Sequence, residues 1–78
     1  MTRLFVPAGY EAKVRPGDLV GAICNETDLQ GRDIGAIEIK GRFSLVEVPD
    51  SAADDVIRAF QHATLKGRKV NIRRENRP

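Results

Sequence analysis

The chain has 78 residues, of which 41% are hydrophobic and 31% charged, and its formal net charge is +2. That length holds one domain burying roughly 60% of the surface its unfolded form would expose, and the composition is too apolar for a disordered tail. A single cysteine and a single histidine exclude an internal disulfide and a four-ligand thiolate or imidazole metal cluster.

Residues 2–6 alternate, with Arg3 and Phe5 on one side and Leu4 and Val6 on the other. This is the period of a half-buried strand, which Pro7 and Gly9 end. After a polar connector, Pro16 takes the first position of a helix and Asp18 complements its positive end. Leu19, Val20, Ile23 and Thr27 recur at the spacing of one buried stripe. Cys24 flanks that stripe and is expected to be a packed core thiol rather than a reactive one.

Residues 25–31 are polar and turn-rich. A second strand is predicted over residues 34–40, where Ile37 and Ile39 alternate with Glu38 and Lys40. Gly41 allows a reversal into a third strand over residues 42–48. Its alternation sets Ser44, Val46 and Val48 on one face and Phe43, Leu45 and Glu47 on the other. An aromatic side chain therefore shares a face with a carboxylate and should be at least partly wet.

Ser51, with Asp54 three residues later, predicts a capped helix over residues 51–63. Ala53, Val56, Ile57 and Phe60 form its buried stripe, and Leu65 closes the core behind it. His62 falls in the last turn, where an imidazole complements the helix dipole. Residues 69–73 predict a fourth strand with Val70 and Ile72 inward and Lys69, Asn71 and Arg73 outward. Residues 1–74 make the domain, and 75–78 form a frayed basic tail.

Strand, helix, strand, strand, helix, strand is the βαββαβ order of an α+β, ferredoxin-like split βαβ fold. It implies a four-stranded antiparallel sheet with two helices on one face. The other face is open. With the first and third strands central, Phe5 and Phe43 lie near each other there. Charge is uneven along the chain: residues 66–78 carry six cations against Glu75 alone, a net +5, whereas residues 1–65 carry −3. Such asymmetry points to a polyanionic partner.

An aromatic platform rimmed by cations suits single-stranded RNA, whose bases stack on rings while lysines and arginines meet phosphates. The expected contacts are Arg3, Phe5, Lys40, Arg42, Phe43, Lys66, Arg68, Lys69, Arg73 and Arg74. The alternative is a protein-interaction or dimerisation module that uses Phe43 and Leu45 as apolar contacts. No cofactor or metal is expected. The carboxylates are scattered or stand at helix starts, so no acid–base pair points to catalysis. No apolar stretch has the form of a signal peptide or membrane span, and a reducing cytoplasm is the expected compartment.

The RNA-recognition pattern on a third strand runs K/R-G-F/Y-G/A-F-V-x-F/Y. Gly41-Arg42-Phe43-Ser44-Leu45-Val46-Glu47-Val48 matches it in part, with Phe43 at the first aromatic place and Val46 at the aliphatic one. Leu4-Phe5-Val6 supplies the companion motif on the first strand. Three further segments are more specific: Val14-Arg15-Pro16-Gly17-Asp18-Leu19-Val20-Gly21-Ala22-Ile23, Asp33-Ile34-Gly35-Ala36-Ile37, and Leu65-Lys66-Gly67-Arg68-Lys69-Val70-Asn71. With Phe43-Ser44-Leu45-Val46-Glu47-Val48-Pro49, the chain resembles over nearly its whole length the C-terminal RNA-binding domain of DbpA/CsdA-type bacterial DEAD-box RNA helicases. The resemblance implies a domain appended to an ATP-driven helicase core, which anchors that core to structured, often ribosomal, RNA during remodelling or ribosome assembly. Neither a Gly-rich phosphate loop ending in Lys-Ser or Lys-Thr nor an Asp-Glu-Ala-Asp box occurs, so this chain is not expected to be an enzyme. Met1 is expected to begin an excised domain rather than a free-standing protein.

Overall fold

The computed structural model describes residues 1–75. Strand β1 (Thr2–Val6) and strand β3 (Ser44–Val48) pair antiparallel along their full length, with Phe5 opposite Leu45 and Leu4 opposite Val46. Strand β2 (Ile37–Ile39) pairs with β3, and β6 (Arg73–Arg74) with β1, giving the sheet order β2-β3-β1-β6. The first and third strands are thus the central pair, as the sequence predicts.

Helices α1 (Pro16–Glu26) and α2 (Ala53–Ala59) pack on one face of this sheet. Between the layers lie Leu4 and Val6 of β1, Val46 and Val48 of β3, and Leu19 and Ile23 of α1, all essentially inaccessible. Phe60 is buried among them, and full burial of such a side chain is worth about 1.5–3 kcal/mol. Ser44 points into the same layer, where its hydroxyl donates to the Ala8 carbonyl at 2.6 Å, so no donor is stranded.

Pro16 opens α1 as its pattern requires. Asp18 does more than face the dipole: its Oδ2 accepts the Arg15 backbone N–H at 2.9 Å, closing the first turn. At the other end Thr27 Oγ1 donates to the Ile23 carbonyl and accepts the Leu29 N–H, turning the chain away. Cys24 is half-buried rather than packed in the core, because only Leu19 and Ile23 face the sheet squarely.

Four local expectations are corrected. The second strand is confined to three residues, since residues 31–33 form a 3-10 turn and only Gly35 and Ala36 exchange further backbone bonds with Glu47. The third begins at Ser44, after a turn at Gly41 and Arg42 closed by the Lys40 N–H on the Phe43 carbonyl. No side chain caps the second helix: a 3-10 turn over Asp50–Ala52 precedes it, Asp50 instead accepts the Thr2 hydroxyl, and the helix ends before His62. The stretch 69–73 is not one strand. Strands β4 (Thr64–Leu65) and β5 (Arg68–Lys69) form a small separate hairpin, and the chain reaches the main sheet only at Arg73.

The hairpin turn has Lys66 at φ 51° and Gly67 at φ 79°, the paired positive values of a tight two-residue turn. Val70 and Ile72 are buried as predicted, although neither lies in a strand. Glu75 is anchored rather than frayed, its N–H donating to the Arg3 carbonyl. The rest of the predicted tail, 76–78, lies outside the described residues.

Gly9 marks the tightest approach of the β1–α1 connection to the β2–β3 hairpin. A Cβ there would fall on the Lys40 carbonyl oxygen, with those of Gly41 and Phe43 at 2.8 Å. Gly9→Ala should therefore cost about 1–3 kcal/mol by overpacking against backbone that cannot move independently. Gly21 has open space on the exposed side of α1, and Gly21→Ala should stabilise by about 0.5–1 kcal/mol. Urea titration of both variants checks the pair; equal effects would contradict the packing described.

Candidate nucleic-acid interface

Alternation along β1 and β3 puts Arg3, Phe5, Leu45 and Glu47 on the face away from the helices. Phe43, one step before β3, joins them. The Phe5 and Phe43 rings stack with centroids 5.2 Å apart and planes 18° from parallel. Arg73, opposite Phe5 on the neighbouring strand, lays its guanidinium over the Phe5 ring at 4.6 Å. Phe43 and Arg73 reach Phe5 from strands on opposite sides of β1, so a cation and two rings form a row across the open face.

Leu45 lies beneath this row and is only 8% exposed, so it is not the wet apolar contact its alternation implies. The apolar patch on which the interaction-module alternative relied is correspondingly reduced to the two half-buried phenylalanine rings.

The other half of the same face is a row of ions. Arg3 lies between Glu47, at 3.7 Å, and Glu75, at 3.6 Å, and Glu47 Oε1 also accepts the Ala36 N–H. The Arg3 guanidinium is thus directed to carboxylates rather than left open to a phosphate.

Positive charge accumulates at the opposite end of the sheet, beyond Val6, where the β1–α1 connection, the β2–β3 turn and the β4–β5 hairpin meet. A depression there is lined by Arg42, Arg68 and Lys69 together with Gly9, Glu11 and Gly41. Arg42 is 89% exposed and only loosely paired with Glu11 at 3.8 Å. Lys40, at the start of the turn, pairs with Glu38 at 3.2 Å.

Two expected contacts are placed elsewhere. Arg74 sits opposite Leu4, on the helix-facing side of β6, and its guanidinium meets Asp54 of α2 at 2.8 Å. Lys66 reaches back from the hairpin turn to Asp18 at 3.4 Å. Lys69, predicted on the open face, belongs to the separate hairpin instead. Of the ten expected residues, Arg3, Phe5, Phe43 and Arg73 share the sheet face, while Arg42, Arg68 and Lys69 share the basic end.

The helix side is acidic by contrast: a depression between the end of α1 and the start of α2 is lined by Glu26, Asp28 and Asp55. Among the described residues no helix is long and apolar enough to cross a membrane. Sequence reasoning passed over Tyr10, which stands 65% exposed on the connection after β1. An exposed aromatic in a polar connector was the available signal.

A family model described as the DbpA RNA binding domain matches residues 3–74. ATP-dependent RNA helicase DbpA of Escherichia coli (strain K12) is 33% identical over 73 residues, covering 94% of this chain and 16% of that protein. ATP-dependent RNA helicase DeaD of Mycobacterium tuberculosis (strain CDC 1551 / Oshkosh) is 34% identical over 73 residues, or 94% and 13%. DbpA of Bacillus subtilis (strain 168) is 28% identical over 75 residues, or 96% and 16%. The chain therefore spans only 13–16% of the length of these relatives. The RNA-recognition-motif domain of Nab3, from a structural study of cis element recognition in non-polyadenylated RNAs, superposes with a TM-score of 0.78. It covers 99% of this chain and 97% of its own at 19% identity, a likeness of fold.

The aromatic row can be checked without any ligand. A double-mutant cycle on Phe5→Ala and Phe43→Ala should give a coupling of about 0.5–1.5 kcal/mol in chemical denaturation; additive losses would mean the rings do not stack in solution. The Arg15 backbone N–H, then Lys66, holds the Asp18 carboxyl below its ordinary range. A depressed carboxylate contributes stability above its unfolded-state pKa, and that contribution disappears as pH falls through the folded value. Asp18→Asn should thus lower stability near neutral pH and converge with the parent chain in acid. A constant difference across that range would exclude Asp18 as the source.

Proposed function

The chain belongs to the DbpA RNA-binding domain family, and on that premise we propose that it is the RNA-anchoring module of a DEAD-box RNA helicase. In this reading residues 1–74 act as one unit that holds structured RNA, ribosomal RNA in particular, for an ATP-driven core elsewhere in the parent protein. The work is done in the cytoplasm and contributes to ribosome biogenesis. The module itself performs no hydrolysis.

The observation that carries the reading is the Arg73–Phe5–Phe43 row, which crosses the open face between the ion pairs of Arg3 and the cations gathered beyond Val6. Rings and guanidinium offer planar surfaces to unpaired bases, while Arg42, Arg68 and Lys69 meet the phosphates that follow. Because Phe43 and Arg73 already lie against the Phe5 ring, a base takes the place of Arg73 or covers the exposed edge of the pair. The displaced guanidinium is then free to meet a phosphate. Lys40, Lys66 and Arg74 face carboxylates and have smaller roles, and Arg3 orients Glu47 and Glu75 as much as it meets RNA.

Filter binding of ribosomal RNA fragments over a series of salt concentrations tests this. Replacing Arg42, Arg68, Lys69 and Arg73 with alanine should weaken binding and flatten the salt slope, by roughly 0.7 for each phosphate of a single strand that is no longer neutralised. An unchanged slope contradicts the assignment of these residues. Phe5→Ala should cost about 1–3 kcal/mol of affinity if a base stacks there. Competition by a homopolymer as effective as by ribosomal RNA would remove the ribosomal preference while leaving RNA binding intact.

A further inference from the structure

Tyr10 and Met1 are the two large apolar side chains left exposed among the described residues. Tyr10 is held on a fixed support. Its N–H donates to the Lys40 carbonyl at 2.8 Å, and its own carbonyl accepts the Lys13 N–H at 2.8 Å. The next residue, Glu11, donates to the Gly41 carbonyl at 3.0 Å. The 3-10 turn Tyr10–Ala12 is thereby stitched to the tip of the β2–β3 hairpin.

The ring leans against that tip. A Cβ built on Gly41 would stand 3.5 Å from Tyr10 Oη and 3.6 Å from its Cζ, ordinary contact distances that place the phenol directly against the hairpin tip. Gly41 is flanked in sequence by Lys40 and Arg42, both exposed. An aromatic ring that is 65% exposed on a hydrogen-bonded turn leaves apolar surface in water. It loses little conformational freedom on gaining a partner.

The electrostatics give a direction. Across the open face, Arg73 ends the aromatic row on one side, and the ion pairs of Arg3 with Glu47 and Glu75 run parallel to it, on the side away from Val6. Phe43 ends the row on the other side, and its carbonyl accepts the N–H of Lys40, whose own carbonyl holds Tyr10. A polyanion lying on Phe5 and Phe43 meets paired ions toward Arg3 and is drawn the opposite way, past Val6, toward Tyr10 and then the depression lined by Arg42, Arg68 and Lys69.

We infer that Tyr10 is a second base-stacking site, taking an unpaired nucleobase from the RNA strand that leaves the Phe5–Phe43 row toward the basic end. The inference rests on the RNA-binding reading above and extends the path off the sheet, onto the β1–α1 connection. Lys40 and Arg42 flank the stacked base and meet its phosphates. The footprint is thus one strand bent over the hairpin tip.

Tyr10 is the single tyrosine of a chain without tryptophan, so its emission reports on this one position. A short single-stranded oligoadenylate is titrated into the domain, following tyrosine emission and, in parallel, the anisotropy of a labelled copy. Far-UV circular dichroism confirms that each variant is folded. The expected result is saturable quenching with the same midpoint as the anisotropy change. Tyr10→Ala should lose about tenfold in affinity, for ribosomal RNA as for the oligoadenylate, and Tyr10→Phe should restore it. An abasic strand of the same length should leave the emission unchanged.

Unaltered emission at saturation, equal quenching by the abasic strand, or parent-like affinity of Tyr10→Ala would each overturn the Tyr10 site while leaving RNA anchoring in place. Binding of ribosomal RNA without binding of the oligoadenylate overturns it equally. A domain that binds neither RNA overturns both readings together.

Discussion

The antiparallel pairing of β1 with β3 is the constraint from which the surface follows. Five residues on each strand are in register, from Thr2 opposite Val48 to Val6 opposite Ser44. Side chains alternate with period two, so a slip of one residue would send Phe5 into the core and Leu4 to the solvent. Burial of Leu4, Val6, Val46 and Val48 under the helices opposes that slip. The stacking of Phe5 on Phe43 is therefore secured from the opposite face, by apolar side chains buried under the helices.

The same alternation sorts the arginines of β6. Arg73 shares a row with Phe5 and crosses the aromatic ring, whereas Arg74 shares one with Leu4 and turns to Asp54 on the second helix. Adjacent residues of identical chemistry thus do different work, one at the open face and one tying the edge strand to the helix layer. Surface ion pairs of this kind contribute little stability, about 0–1 kcal/mol each, but they decide where a flexible cation points. Arg74, Lys66 and Arg3 are directed to carboxylates, and the looser Arg42 remains available at the basic end.

Close backbone contact joins the two parts of the proposed interface. Gly9 presses on the Lys40, Gly41 and Phe43 carbonyls, and Tyr10 and Glu11 donate to the Lys40 and Gly41 carbonyls. The loop that carries Tyr10 and the turn that carries Arg42 are consequently held to one another and to Phe43 by backbone contacts. A binding surface assembled from loops gains rigidity from such contacts and needs less ordering when a ligand arrives.

The alternation of residues 2–6 and of 44–48, the proline opening the first helix and the order of the elements were local patterns, and they were enough to specify the fold and which face stays open. Family membership was legible as well, because its motifs are contiguous stretches of chain. The end of the second helix, its uncapped start at Ala53 and the hairpin over Thr64–Lys69 were not. Lys66-Gly67 lacks the asparagine or aspartate that usually announces such a turn, and Asp50 and Asp54 spend their oxygens on Thr2 and Arg74, distant in sequence. Only the tertiary structure separated Arg73 from Arg74, covered Leu45 and set Tyr10 against the hairpin. Each of those outcomes depends on a neighbour from another strand or loop, and neither periodicity nor composition carries the identity of that neighbour.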